Sequence, residues 1–393
     1  MAGTVVPRPL LIIFLTILVN LVGFGIIVPL LPFYAETFGA SPLVIGLLFA
    51  VFSLCQLVAA PALGDLSDRY GRRPVLIFSL LGTVVSFAML ALAHSIAMLF
   101  AARIVDGLSG GNISTARAYV ADVTEPRDRA RAYGLIGAAF GLGFILGPAL
   151  SGVLAHVSYT APIWAAAALT LVATVMAWLW LPETVHRARA GVGNPFSYLP
   201  AMMERSLVRR VLAIDFVYWV AFATFQTTFA LFAGRRFGFD AARTGYFFAA
   251  FGILGAVIQG VFIRPIVARL GDMPTFRLGL GFGALGLVAA VVAPSVPAFA
   301  VALVPLAFGI GFGHPTMASL VSRVARGDEQ GRVQGAASAV ESLGRTLGPV
   351  WGNATLQQFG ESTPYISAAA FLVVTLVLTV GFQTGDAVAE AAP

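Results

Sequence analysis

The stretch that decides the fold is Gly64-Asp65-Leu66-Ser67-Asp68-Arg69-Tyr70-Gly71-Arg72-Arg73, which places five charges between two long apolar runs. Each run, at 43–63 and 74–93, is about as long as the roughly 20 residues that an α-helix needs to cross a lipid bilayer. A connection this short cannot form a domain of its own. The stretch therefore predicts a compact charged hinge at a membrane surface, between two membrane-spanning helices.

The chain contains a weaker copy of this hinge, which indicates an internal duplication. Residues 264–273 lie 200 positions after the first hinge, and Arg269, Gly271 and Pro274 correspond to Arg69, Gly71 and Pro74. A second pair of matching segments, 143–148 and 344–349, is separated by 201 positions. Two copies of the same pattern, in order, predict two related halves.

Composition excludes several classes of protein. The chain is 59% hydrophobic and 11% charged, whereas soluble proteins carry about 25% charged residues. The net charge is +6, but the basic residues lie in short gaps between apolar runs, which is not the clustered face of a nucleic-acid binder. The single Cys55 rules out an intramolecular disulfide and a cysteine metal site. We expect no enzyme activity, no metal and no nucleic-acid partner.

The apolar stretches predict an all-α integral membrane protein of twelve transmembrane helices in two pseudo-symmetric six-helix halves. The halves are 1–181 and 208–383, joined by a cytoplasmic linker at 182–207 and followed by a cytoplasmic tail at 384–393. The predicted spans are 10–34, 43–63, 74–93, 97–120, 133–155, 162–181, 211–233, 243–263, 274–293, 298–322, 332–356 and 364–383.

Arginine placement predicts the orientation of these helices. Arginines concentrate in alternate loops, and such loops usually face the cytoplasm. The exception is the connection between spans 7 and 8, which holds Arg235, Arg236 and Arg243. We therefore expect a multi-pass protein of the cell (inner) membrane, with both termini in the cytoplasm.

Three motifs resemble those of the major facilitator superfamily of transporters. The hinge pattern G-x-L-S-D-R-x-G-R-R is similar to the signature of that family, and residues 103–107 are similar to its span-4 arginine motif. Residues 143–152 resemble the G-x-x-x-G-P-x-x-G-G motif of drug/proton antiporters, with Ser151 replacing one glycine; the matching positions are Gly143, Gly147, Pro148 and Gly152. Residues 23–32 further resemble the tetracycline-efflux branch, which commonly has an aspartate where this chain has Asn20.

The resemblance implies a function for the hinge. Asp68, Arg72 and Asp122 would form a cytoplasmic charge latch that holds one conformation and breaks in another. The alternative is a charged cluster that only fixes the topology, although isolated surface ion pairs contribute only about 0–1 kcal/mol and would not require this glycine spacing. The full set of predicted latch residues is Gly64, Asp68, Gly71, Arg72, Arg73 and Asp122.

The span-5 glycines have two open interpretations. Gly143 and Gly147 are four positions apart, so they lie on one helix face, and Pro148 follows. Small residues allow a facing backbone to approach closely. The face can serve a bendable interface between the halves, or ordinary helix packing.

Two acidic residues fall deep inside predicted spans. At 1.5 Å per residue, Asp106 lies roughly 13 Å into span 4, and Glu341 is at a similar depth in span 11. A charge at that depth costs about 2.5–3.5 kcal/mol on insertion scales and usually marks function. Arg103 and Arg345 lie three and four positions away, on the same helix faces. We expect proton coupling through these four residues; the alternative is ion pairs that fix helix packing.

Polar and aromatic residues predict a substrate cavity. Tyr218, Trp219, Phe222 and Gln226 form a stripe on span 7, and Asn20 on span 1 adds a second polar anchor. His314 in span 10 is either a proton relay or a packed side chain. The aromatic stripe can equally face lipid. Asp215, nearer the cytoplasmic end of span 7, is either a functional acid or a helix cap.

These observations predict a proton-coupled exporter of small amphiphilic compounds, multidrug or tetracycline-like, working by alternating access. We expect a monomer that uses the proton gradient and no cofactor, with protons, a small amphiphilic substrate and the lipid bilayer as its partners. The alternative is a metabolite or lipid transporter of the same fold, either a symporter or a facilitator.

Overall fold

The computed structural model describes residues 8–110, 112–125, 128–184, 203–325 and 330–381. These residues form fourteen α-helices and one π-helical segment, and none of them lies in a strand. The all-helical class predicted from the sequence is confirmed. Most of the predicted linker at 182–207, and the whole predicted tail at 384–393, lie outside the described residues.

Each predicted span of the first half coincides with helix. Span 4 is divided into two helices, because the first ends at Ser109 and the second begins at Asn112, after Gly110. The helices are α1 (Arg8–Glu36), α2 (Pro42–Tyr70), α3 (Arg72–Ala91), α4 (Ile96–Ser109), α5 (Asn112–Val123), α6 (Arg129–Ala155) and α7 (Thr160–Trp180).

The second half repeats this series. Span 8 contains a π-helical segment, Ile258–Phe262, a feature that often occurs at functional sites in helices. The helices are α8 (Ser206–Phe237), α9 (Ala241–Val257), α10 (Ile263–Leu270), α11 (Asp272–Val292), α12 (Val296–Arg323), α13 (Gln330–Phe359) and α14 (Thr363–Leu378).

Among the described residues, nine helical segments are long and apolar enough to cross a membrane by length and composition. The spans that fall short of this measure are 4, 11 and 12. Span 4 is interrupted at Gly110, α13 is rich in polar residues and carries Glu341 and Arg345, and α14 has only 16 residues.

The helices group into two compact units, each with one sequence half and a short piece of the other. One unit, called unit 1, comprises Met1–Ala40, Val51–Val192 and Phe239–Ala249; the other, unit 2, comprises Ser41–Ala50, Gly193–Gly238 and Ala250–Pro393. In unit 1, α1 packs against α6 and α7, and α3 against α4 and α7. In unit 2, α8 packs against α13 and α14, and α11 against α12 and α14. The internal duplication seen in the sequence is therefore repeated in the packing.

Glycines allow close helix crossings in both units. A Cβ at Gly147 would lie 2.6 Å from the Val22 carbonyl oxygen and 2.7 Å from the Gly25 Cα, so only glycine allows α1 and α6 to approach this closely. In unit 2, a Cβ at Gly348 would lie 2.8 Å from the Val220 carbonyl oxygen, at the crossing of α8 and α13. The predicted motif glycines Gly143 and Gly147 thus pack within their own sequence half.

Gly152 differs, because its neighbours come from the other sequence half. In unit 1, a Cβ at Gly152 would lie 3.0 Å from the Ala242 carbonyl oxygen, and one at Gly245 would lie 2.7 Å from the Pro148 carbonyl oxygen. The start of α9 therefore packs on the end of α6. In unit 2 the start of α2 packs on α13, where the Leu43 backbone N–H donates to Gln357 Oε1 at 3.1 Å.

Candidate functional site

The hinge between α2 and α3 builds a charged cluster around Arg72, whose side chain is only 8% exposed. The Arg72 guanidinium lies 2.5 Å from Asp68 Oδ1 and 3.3 Å from Asp122 Oδ2, at the end of α5. It also donates to Ser67 Oγ at 2.6 Å. The structure therefore brings together the three residues that the sequence resemblance assigned to a latch. We call Asp68, Arg72, Asp122 and Glu183 the hinge cluster.

Glu183, the fourth member, was not predicted from the sequence. Its carboxylate accepts the backbone N–H groups of Arg72 and Arg73 at 2.9 and 3.1 Å, so it closes the N-terminus of α3. A negative charge there interacts favourably with the helix dipole and with unpaired N–H groups. The only sequence signal was an acidic residue directly after the apolar run of span 6.

The glycines of the predicted latch have different roles. Gly71 adopts φ 107° and ψ 152°, a backbone conformation that residues with a side chain rarely take, and Glu183 lies where its Cβ would be. Gly64 lies inside α2, and a Cβ added to it would meet nothing within 4 Å among the described residues. Arg73 joins the hinge to α7, because its Nη2 donates to the Trp178 carbonyl oxygen at 2.5 Å.

Arg103 and Asp106 form a buried ion pair on α4. Their closest atoms, Nη1 and Oδ2, are 2.6 Å apart, and Arg103 is 1% exposed. The Arg103 guanidinium also lies 4.2 Å from the centre of the Phe52 ring on α2, a cation–π contact. The two opposite charges neutralise each other, which favours a packing role at least as strongly as proton coupling.

A second buried cluster lies in unit 2 and contains more acid than base. Glu341 and Arg345 are one turn apart on α13, and Asp215 on α8 is close enough for its charge to interact with both. Asp215 is 1% exposed, so it is not a solvent-facing helix cap. We call Asp215, Glu341 and Arg345 the acidic cluster.

An aromatic wall surrounds His314 beside the acidic cluster. The His314 ring centre lies 5.4 Å from that of Tyr218, 4.9 Å from that of Trp219 and 4.8 Å from that of Phe222. The Arg345 guanidinium carbon lies 5.3 Å from the Trp219 ring centre. The residues of the predicted stripe on span 7 therefore face other helices of unit 2 near buried charges.

The remaining predicted cavity residues lie in different places. A small apolar cavity in unit 2 is lined by Tyr218 and Phe222 together with glycines of α11 and α12. Gln226 is buried one turn further along α8. Asn20 belongs to unit 1, where its Nδ2 is buried without a hydrogen-bond partner in the part of the chain that the structure describes. No group of three His, Cys, Asp or Glu residues within the described ranges could hold a metal ion.

Comparison with known proteins gives consistent matches over nearly the whole chain. A family model described as Major Facilitator Superfamily matches residues 13–349 and 260–388. The chain is 34% identical over 349 residues to the tetracycline resistance protein, class C, of Escherichia coli, covering 87% of this chain and 88% of that protein. It is 30% identical over 379 residues to multidrug resistance protein 2 of Bacillus subtilis (strain 168), covering 94% of each.

A solved structure also matches over nearly the whole chain. The crystal structure of the human organic anion transporter MFSD10 superposes on this chain with a TM-score of 0.73 and 26% sequence identity. The match covers 94% of this chain and 98% of that protein.

Proposed function

Because the chain belongs to the major facilitator superfamily, a family of multi-pass membrane transporters and not of enzymes, we propose that it is a proton-coupled exporter of small amphiphilic compounds that works by alternating access. Membership also confirms the predicted architecture of twelve transmembrane helices in two domains. The relatives named tetracycline resistance and multidrug resistance proteins support drug export over the other functions of the fold.

The observation that carries proton coupling is the acidic cluster. It brings together two carboxylates, one of them fully buried and the other half-buried, and one guanidinium inside membrane-spanning helices. Buried charge without full compensation is unfavourable, so such a site gains stability by binding a proton. The Arg103–Asp106 pair, by contrast, is already neutral as a pair.

The proton gradient is sufficient to drive export. One elementary charge crossing a membrane potential is worth about 2.3 kcal/mol per 100 mV. Since about 1.4 kcal/mol corresponds to a tenfold concentration ratio, one proton per 100 mV supports roughly a 50-fold substrate gradient. No cofactor is required in this scheme.

The expected cargo follows from the chemistry of the aromatic wall and cavity. Tyr218 and Phe222 offer ring faces beside an apolar cavity, which suits the apolar part of an amphiphilic molecule. Asn20 cannot exchange a proton, so proton coupling through a span-1 acid is not available to this chain. We further propose that the protein is a monomer of the cell (inner) membrane, with both termini in the cytoplasm.

The test is drug-dependent proton movement in everted membrane vesicles. A preset pH gradient is followed with a fluorescent amine while tetracycline and a panel of amphiphilic drugs are added. The expected result is collapse of the gradient by at least one drug, lost in Glu341→Gln. Asp106→Asn tests the second predicted acid, and Glu361→Gln, which removes only a 3.5 Å contact with Arg236, is the matched control.

The second candidate is a metabolite or lipid transporter of the same fold. It is supported by the match to a human organic anion transporter, whose cargo class differs from that of the resistance proteins. If no drug in the panel collapses the gradient, while the inserted protein elutes as a single folded species, the exporter proposal is wrong and this candidate replaces it.

A further inference from the structure

We infer that Asp215 is the carboxylate that takes up the coupling proton, while Glu341 stays ionised beside Arg345. The inference deepens the proposed function and rests on it, because it assigns the proton to one residue of the acidic cluster. Asp215 was not among the residues expected to carry the proton; its place between α8 and α13 distinguishes it.

Asp215 differs from the other buried aspartates of the described ranges because it forms no ion pair with an arginine. Asp68, Asp106 and Asp272 each lie within 2.6 Å of an arginine nitrogen. Asp215 is more deeply buried than any of these, at 1% exposure, yet within the described ranges no arginine forms an ion pair with its carboxylate, which has only the neutral Trp219 side chain as a hydrogen-bonding neighbour on its own helix. A buried carboxylate in this situation is stabilised by binding a proton, because the neutral acid needs far less solvation.

The titratable groups on the helices near Asp215 are either its neighbours or are engaged elsewhere. Helix α13 contributes Glu341 and Arg345, and α8 itself contributes Tyr218 and Trp219. On α12, the His314 ring is enclosed by Tyr218, Trp219 and Phe222. On α11, Asp272 is occupied by Arg323. On α8 itself, Arg209 and Arg210 donate to the carbonyl oxygens of Met203 and Leu378. On α14, Tyr365 stacks on Phe232, several turns away along α8.

Binding of one proton would neutralise the acidic cluster. With both carboxylates ionised, the three residues of the acidic cluster carry two negative charges and one positive charge, which is a net charge of −1 for these three residues. One proton makes the site neutral. Glu341 and Arg345 lie one turn apart on the same helix, so they remain neighbours when α8 moves relative to α13. Asp215 lies on the other helix, so its proton is the one that can be gained and lost as α8 and α13 move.

Trp219 connects the proton to helix movement. It lies one turn after Asp215 on α8, and Arg345 sits over its ring. A Cβ at Gly344 would come within 2.7 Å of the Trp219 Cβ, so the two helices touch at this position. When Asp215 is neutral, Arg345 has one anionic neighbour fewer, and its contact with Trp219 changes.

The experiment is infrared difference spectroscopy of the purified full-length protein in lipid nanodiscs, titrated with acid in the absence of any drug. Lowering the pH is expected to produce the C=O stretch of a protonated carboxylic acid. The band should be absent in Asp215→Asn and present in the controls Asp106→Asn and Glu361→Gln. In Glu341→Gln it should persist, with the midpoint shifted to lower pH and proton affinity reduced at least tenfold, because a negative neighbour has been removed.

Isotope labelling keeps the test decisive if Asp215→Asn does not fold. In the wild-type protein, ¹³C-labelled aspartate should shift the band, and ¹³C-labelled glutamate should leave it in place. A band that shifts with labelled glutamate, or that survives Asp215→Asn and disappears in Glu341→Gln, would overturn the inference. The pH dependence of Trp219 fluorescence, measured against Trp219→Phe, should follow the same midpoint.

The outcome is separable from that of the exporter proposal. A normal aspartate titration in nanodiscs, with no drug response in vesicles, would contradict drug export and leave Asp215 as the proton site. Drug-driven proton movement that persists in Asp215→Asn would support export and contradict the assignment of the proton to Asp215.

Discussion

The two hinges of the duplicated chain carry the same ion pair with its charges exchanged. In the first, Arg72 begins α3 and its Nε lies 3.3 Å from Asp122 Oδ2. In the second, Asp272 begins α11 and its Oδ2 lies 2.6 Å from Arg323 Nε. Positions 72 and 272 correspond at the 200-residue offset, and positions 122 and 323 at the 201-residue offset. Both copies therefore have an ion pair at the corresponding positions, but the acidic and basic residues have exchanged places.

The charge of the first residue of α3 or α11 determines which further contacts stabilise the start of that helix. An acidic residue in the first turn of a helix is favoured by the helix dipole, and a basic one is not. Asp272 therefore suits the start of α11 directly, and Ser319 adds a hydrogen bond to it at 2.9 Å. Arg72 does not suit the start of α3, and the Glu183 carboxylate supplies the missing negative charge through two backbone N–H groups. The first hinge is therefore held by a network of several charged residues, whereas the second is held mainly by one ion pair.

The largest expected effect comes from reversing the charge in the first hinge. Arg72→Asp would place a fourth carboxylate beside Asp68, Asp122 and Glu183, and breaking a buried pair costs about 3–5 kcal/mol. We expect a loss of that size in the free energy of unfolding, measured by denaturant titration in detergent micelles, together with loss of transport. Arg69→Ala removes an exposed pair with Asp65 and serves as the control, at about 0–1 kcal/mol. Equal losses of unfolding free energy in Arg72→Asp and Arg69→Ala would contradict the conclusion that Arg72 is the centre of a stabilising charge network.

The two hinge glycines allow a matched comparison of intermediate size. Gly71 and Gly271 have positive φ values of 107° and 85°, a conformation that costs a residue with a side chain about 1–3 kcal/mol. Among the described residues, a Cβ at Gly271 would meet Pro274 Cδ alone, at 4.0 Å, whereas one at Gly71 would displace the Glu183 carboxylate. Gly71→Ala should therefore destabilise more than Gly271→Ala, by about 1–3 kcal/mol for the lost hydrogen bonds to a charged group. Adding Glu183→Ala to both variants should abolish the difference.

A smaller effect is expected in the second hinge. The Arg323 side chain is 54% exposed, so solvent screens its interaction with Asp272. A double-mutant cycle of Arg323→Ala and Asp272→Asn should give a coupling energy of about 1 kcal/mol or less. In the first hinge, a cycle of Arg72→Ala and Asp68→Asn, whose side chains are 8% and 12% exposed, should give a clearly larger value. Coupling energies in the reverse order would show that burial does not distinguish the two hinges.

The smallest effect is expected at the first residue of the hinge motif. Gly64 lies within α2, where no described residue would come within 4 Å of an added Cβ, and its carbonyl oxygen accepts a hydrogen bond from Ser67 Oγ whichever side chain position 64 carries. Alanine is favoured over glycine in a helix by about 1 kcal/mol. Gly64→Ala should therefore leave transport unchanged and the thermal midpoint equal or slightly raised. A loss of transport would show that Gly64 serves a conformation other than the one described.

Contacts within one helix were the ones that the sequence could predict. Arg103 and Asp106 are three positions apart, and the structure places their charged atoms 2.6 Å apart. Tyr218, Trp219 and Phe222 likewise share a face of α8, as their spacing predicts, although the sequence could not tell whether this face meets lipid or protein. Helical periodicity fixes which residues are neighbours on one helix, and it carries no information about the helix opposite.

The sequence by itself determined the membrane-spanning helices, the duplication and the family, because these depend on the length of apolar runs and on repeated spacings. Only the tertiary structure decided that Glu183 closes the start of α3, 111 positions before it in the chain, and that Asp215 lies beside Glu341. It also decided that the two hinges use opposite charges in one geometry. The physical reason is that a contact between helices depends on their crossing point and rotation, which are set by the packing of many side chains at once.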